Sequence, residues 1–281
     1  MTVADAGLFG PESVTWCVHA DPVLWVGGLR SLLLQALHPV AMAGVAHHSD
    51  FRRDAWGRLL RTARYVGTTT YGTTADAVAA GAAVRRVHQD LSGVEEVSGR
   101  RYAVEDADLL RWVHCCLVES FLSTYQRAGR ALTSADADRY VEEQTRMAPL
   151  VGLPAGDVPA TVGDLYDYFD AVRPQLRASS DAFAAARLVV APPMPVRMQV
   201  TTPARPAWTA VAALAFASLP RWARRLYRTP GLPTTDVAAT IGLRTLAPML
   251  QRLPATYRES PALRAARERL GKDSFTSAAS V

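Results

Sequence analysis

Period-two alternation of apolar and polar residues, the pattern that a half-buried strand requires, is almost missing from this 281-residue chain. Runs of β-branched residues are short as well, so a sheet has little to be built from. What the sequence offers is a succession of helical segments punctuated by Ser, Thr, Asp, Gly and Pro. The expected fold is all-α: a single-domain helical bundle with long buried central helices over residues 1–270, followed by a polar, mobile tail over 271–281.

The segment from Pro22 to Ala46 is apolar all round, as a helix at the centre of a fold would be. His38-Pro39 interrupts it. Proline removes a backbone donor and disfavours helical geometry in the residue before it, so a kink is expected near His38. The imidazole there is read either as aimed at a site or as a structural group bonded at the kink. Asp54 is a plausible N-cap for the helix that carries Arg58 and Thr62 on one face. Thr68 to Thr74 reads as a turn, Ala75 to Leu91 as a helix ending at Ser92-Gly93, and EVSGRRYAVED as a turn-rich connection. The strongest helix is expected from Asp106 to about Arg127, with His114 and Glu119 on it. Caps at Thr133 or Ser134 and near Thr161 open two more. After Ala178 come a helix, the Pro-rich turn APPMPVR, an apolar helix from Trp208 to Ser218 and two further short helices.

The net charge of +5 comes almost wholly from Arg, since Lys272 is the only lysine. These arginines are spread along the chain without interleaved aromatics, so a nucleic-acid partner is not expected. Cys17, Cys115 and Cys116 are an odd set, read as reduced thiols in a cytoplasmic protein without an export signal. Leu32 to Val45 and Trp208 to Leu219 are too short to span a bilayer, although the second is a candidate for peripheral contact with a lipid surface. The oligomeric state is left open.

All six histidines (His19, His38, His47, His48, His88 and His114) fall in the first 114 residues, which concentrates any metal or redox chemistry in the first half. No H-E-x-x-H or C-x-x-C is present for zinc, no G-x-S-x-G for a hydrolase, and no Gly-rich phosphate loop for a nucleotide. What survives is a cofactor held between apolar helices by one or two imidazoles.

The runs QALHPVAMAGVAHHSDFRRDAWGRLLRTARYV, VRRVHQDLSGV and YAVEDADLLRWVHCCLVESFLSTYQ resemble the shared core of the MpaB and latex-clearing-protein (rubber oxygenase) family, over roughly residues 20 to 230. The resemblance implies a helical fold and, as in the rubber oxygenases, a b-type haem on one proximal histidine that works with O2 on carbon–carbon double bonds. The family's Arg-x-x-x-Thr falls on Arg58 and Thr62, and its proximal histidine on His88, the implied iron ligand. Beside the likeness, position and charge offer further candidates: His114 and Glu119 facing the cofactor, or His114 as a core hydrogen-bonded group; Arg58 at the haem face or a propionate; Arg85 and Arg86 at propionates or solvated; and Arg58 with His38 beside the oxygen. Two departures stand out. Arg61 occupies a position where rubber oxygenases can present a ligating Lys, and no Asp or Glu lies between Arg30 and Asp50 to supply their catalytic carboxylate. Both argue against polyisoprene itself as substrate. The implied activity is a haem b-dependent oxygenase acting with O2 on an apolar small molecule, prenyl-like or otherwise unsaturated; the alternative is a non-catalytic haem or small-ligand binding protein.

Overall fold

A computed structural model describes residues 4–192 and 204–271. The fold is all-α, with one small exception. Helices α1 (Val14–Ala20), α2 (Leu24–Gln35), α3 (Pro39–His48), α4 (Ala55–Tyr71) and α5 (Thr74–His88) precede a two-stranded antiparallel ribbon, β1 (Ser92–Val94) and β2 (Arg101–Ala103). Then follow α6 (Ala107–Arg127), α7 (Ser134–Gln144), α8 (Val162–Val172), α9 (Ser180–Val190), α10 (Ala204–Ala217), α11 (Arg221–Leu226), α12 (Pro233–Gln251), α13 (Ala255–Arg258) and α14 (Pro261–Leu270). The expected tail from residue 272 and most of the Pro-rich turn lie outside the described residues.

The central pair is α2 and α6. Helix α2 buries Val26, Leu29, Leu33 and Leu34, and α6 meets it with Trp112, Cys115, Cys116, Val118 and Leu122. Each fully buried Leu or Val here contributes roughly 1.5–3 kcal/mol relative to exposure. Close approach is possible because Gly27 has no side chain: a Cβ there would come within 3.0 Å of Phe121 and 3.2 Å of the Ser120 carbonyl. One continuous apolar cluster runs from Val18 to Ala247, so helices from both ends of the chain share it.

The segment expected as one kinked helix is two helices. The chain breaks between Gln35 and Pro39 and turns through 102°. Proline supplies the start of α3, and His38 caps it, its Nδ1 accepting a hydrogen bond from the Ala41 amide at 3.3 Å. A break inside a core strands backbone carbonyls, which must find donors. They do: the Tyr227 hydroxyl donates to Leu33 O (2.7 Å), the Trp112 indole to Gln35 O (2.9 Å), and the Arg177 amide to Leu37 O (2.9 Å).

Three other expectations are corrected. Thr68 to Tyr71 are the last turn of α4, because Thr69 bonds back to the Tyr65 carbonyl and only Gly72 and Thr73 leave the helix. The connection after α5 is a ribbon in which Gly93 pairs with Tyr102. Near the C-terminus, α12 runs for 19 residues, far from short. The caps at Asp54, Thr133 and Thr161 are as expected, the last two as full capping boxes. The three cysteines are free thiols. Among the described residues no single helix is long and apolar enough to cross a membrane.

Candidate functional site

Helices α4 and α5 form an antiparallel hairpin, so the first turn of α4 and the last turn of α5 lie at the same end. Arg58 comes from the former and His88 from the latter. The C-terminus of α3 and the ribbon close in beside them: His48 Nε2 bonds the Ser92 carbonyl at 3.0 Å, and His47 Nδ1 meets the Tyr102 hydroxyl at 2.9 Å. The sequence exposes no periodic signal for this corner, since it joins three helix ends with a three-residue strand.

His88 is half-buried, and its imidazole has no hydrogen-bond partner among the described residues. Burial depresses its proton affinity; the Arg58 guanidinium adds to that effect and the Glu105 carboxylate opposes it. The imidazole is therefore neutral at pH 7, with a lone pair free to ligate. Glu105, exposed and one residue before the cap of α6, escaped sequence reasoning because nothing in its neighbourhood marks it apart from other loop acids.

Arg58 is half-buried too, and its guanidinium donates to the Ser49 hydroxyl at the end of α3. Desolvation, then the Arg61 charge, pushes its pKa down, and no carboxylate pairs with it among the described residues. A desolvated cation without a counter-ion is costly unless an anion joins it. Thr62 stands one turn on, where its hydroxyl donates to the Arg58 carbonyl at 3.1 Å, a bond within the helix. Arg61 points outward to Asp54 at 2.9 Å.

The remaining sequence-selected residues are dispersed. Arg85 donates to the Leu150 carbonyl and fastens α5 to the 3-10 turn Thr145–Val151, which occupies its guanidinium with a structural bond. His38 is 2% exposed, caps α3 and packs its ring 5.8 Å from Trp112. Burial, followed by the Arg100 charge, lowers it to about 4. His114, half-buried on α6, is lowered to about 4 by burial alone and has no hydrogen-bond partner among the described residues. No hydrogen bond or ring contact joins His38 or His114 to Arg58 or His88. Glu119, on the same helix as His114, is the buried partner of Arg30. His19 is a core group with both ring nitrogens bonded, to Thr70 at 2.8 Å and Tyr140 at 3.1 Å.

Two hollows are present elsewhere. One, of about 550 Å³, is an apolar groove between α9 and α10, lined by Phe183, Ala186, Leu188, Val190, Phe216 and Tyr227. The other, of about 470 Å³, lies beside Arg111, Asp157 and Tyr168. Neither is lined by His88 or Arg58. Among the described residues, no group of three or more His, Cys, Asp or Glu is placed to hold a bare metal ion. A metal at His88 would need its other ligands from a macrocycle, and an anionic macrocycle would find its counter-charge in Arg58.

Comparison with known proteins gives one family: "ER-bound oxygenase mpaB/B'/Rubber oxygenase, catalytic domain" matches residues 16–252. Neither the curated proteins nor the solved structures contain a significant match. That span takes in α1 through α12, including the α4–α5 hairpin that carries Arg58 and His88. The chain belongs to the MpaB and rubber oxygenase catalytic-domain family, a family of oxygenases.

Proposed function

We propose that this protein is a haem b-dependent oxygenase, an oxidoreductase that uses O2 on an apolar, prenyl-like or unsaturated small molecule. One observation carries the reading: a neutral imidazole, His88, stands at the same helix-hairpin end as a desolvated guanidinium, Arg58, and among the described residues the first has no hydrogen-bond partner and the second no paired carboxylate. A bound haem would supply the activation of O2. His88 would hold it from α5, and Arg58, fixed by Ser49, would bind one of its carboxylates. Free thiols at Cys17, Cys115 and Cys116 support a reducing, cytoplasmic setting, and residues 1–270 are proposed to act as one catalytic unit.

One observation favours the second reading, a non-catalytic haem or small-ligand binder. Among the described residues the buried carboxylates are all engaged: Asp21 by Arg130 and the Val23 amide, Glu95 by Arg177 and Ser98, Glu119 by Arg30, and Glu143 by Arg139 and the Thr15 amide. None is free to move a substrate proton.

The purified protein, supplied with haem, is expected to show a Soret absorption band that His88→Ala abolishes while the helical content is unchanged. A wild type that stays colourless overturns the oxygenase reading and the haem-binding form of the second. Oxygen consumption on adding a prenyl substrate separates them: uptake supports the oxygenase, and a coloured protein without uptake supports the carrier.

A further inference from the structure

Charge is distributed very unevenly along this chain. Residues 204–271 contain eleven arginines against three carboxylates, while the net charge of the whole chain is only +5, so the remainder is net acidic. The three carboxylates do little to soften the excess. Asp236 is shared by Arg221 and Arg224, and Glu259 by Arg258 and Arg267. From Val237 to Arg258 there is no acidic residue at all.

Exposed apolar side chains gather in the same place. Of the fourteen large ones among the described residues, six fall between Leu232 and Tyr257: Leu232, Val237, Ile241, Met249, Leu253 and Tyr257. On α12 the inner face is Ala239, Leu243 and Ala247, all buried against the core. The opposite face runs Val237, Ile241, Arg244, Thr245, Pro248, Met249 and Arg252, at the spacing of one helical stripe. Ile241 and Met249 are 61% and 58% exposed. Arg244 and Arg252 are exposed on the same face and form no ion pair among the described residues. Soluble surfaces seldom leave so many neighbouring apolar groups uncovered.

We propose that the outer face of α12 docks in the plane of an anionic lipid bilayer, with Val237, Ile241, Met249 and Leu253 entering the acyl boundary and Arg244 and Arg252 reaching the phosphates. Long arginine stems lie along apolar surface while their heads stay at the polar level, which suits a stripe of this composition. A second copy of the chain fits less well: two such faces, each without a carboxylate, would set arginine against arginine. A polyanionic surface with an apolar interior complements both halves of the pattern. Trp208 to Leu219, the segment first considered for lipid contact, is disfavoured because Ala212, Ala215 and Leu219 are fully buried and Trp208 and Phe216 pack on the core. This inference is independent of the haem and of the reaction.

Vesicle flotation of the full-length protein tests it, with phosphatidylcholine vesicles prepared with and without phosphatidylglycerol. Expected is flotation on the anionic vesicles only, weakened by salt. Ile241→Asp/Met249→Asp and Arg244→Glu/Arg252→Glu should each lower the partition coefficient by roughly tenfold or more. Val87→Asp/Val97→Asp, which alters exposed apolar residues elsewhere, should leave it unchanged. Circular dichroism verifies that each variant is folded, and the lipid and salt dependence of the wild type stands without any variant. Three results would overturn the proposal: no flotation of the wild type, flotation that the α12 substitutions do not alter, or a dimer in solution that those same substitutions dissociate.

Discussion

Arg30 of α2 and Glu119 of α6 face each other as a two-pronged ion pair at the centre of the bundle, both all but sealed from water. Two further guanidinium donors are used as well, Nη1 to the Ser120 hydroxyl at 2.7 Å and Nε to the Ser218 carbonyl at 3.2 Å. The pair therefore ties α2, α6 and the end of α10 together. Removing one partner leaves a buried charge alone, so Arg30→Ala or Glu119→Ala is expected to cost about 3–5 kcal/mol in urea denaturation. Arg30→Met/Glu119→Leu, which removes both charges and keeps the volume, should recover most of that loss.

Arg58 is expected to behave in the opposite way. Its guanidinium is desolvated and pairs with no carboxylate among the described residues, so Arg58→Met should leave stability unchanged or slightly raised in the apoprotein. Haem titration followed by absorbance should show affinity reduced roughly tenfold, the worth of one charge-assisted hydrogen bond. Thr62→Val should do neither, since its hydroxyl serves only the α4 backbone.

Acid should unfold this protein through its histidines. Burial holds His19 at about 3 and His38 and His114 at about 4, against 6.5 in an unfolded chain. The unfolded state then binds more protons than the folded state between those limits. The histidine contribution is fully present above pH 6.5, falls as the pH drops from 6.5 towards 4, and levels off below about 3, where the lowered carboxylates such as Glu95 take over the loss. His38→Asn keeps an acceptor for the Ala41 amide and removes one titration, so its stability curve should be shallower by about one proton in that window. An unchanged slope would contradict the buried, neutral state of His38.

Gly81 provides a test of how α5 is seated. A glycine-to-alanine change in a helix interior ordinarily gains about 1 kcal/mol. Here the added Cβ would fall 2.6 Å from the Leu150 carbonyl oxygen and 2.9 Å from the Leu150 Cβ. Gly81→Ala is expected instead to destabilise by roughly 1–3 kcal/mol, because the 3-10 turn that accepts from Arg85 must move. Thermal unfolding would measure the sign directly.

The helical class, the caps at Asp54, Thr133 and Thr161, and the interruption at His38-Pro39 were legible because each depends on local chemistry. The 102° turn at that interruption was not, since its stranded carbonyls are satisfied by Trp112, Arg177 and Tyr227, far along the chain. Nor could spacing show that Glu119 belongs to Arg30, 89 residues away. Motif order brought Arg58 and His88 into view together, and the α4–α5 hairpin puts them at one end. Arg85, less than one turn before His88, donates to a backbone carbonyl that no motif encodes. The ribbon at Gly93 and Tyr102 is too short to leave a periodic trace.

The corner at His38-Pro39 also fixes what so greasy a stretch is able to become. Drawn as one straight rod, Leu24 to His48 would measure about 37 Å, enough to traverse the ~30 Å hydrocarbon layer of a bilayer. Folded back on itself, neither arm exceeds about 18 Å, and the first ends on donors contributed by distant parts of the protein. A hydropathy profile averages over the bend and sees a span; the geometry turns the same residues into the keystone of a globule.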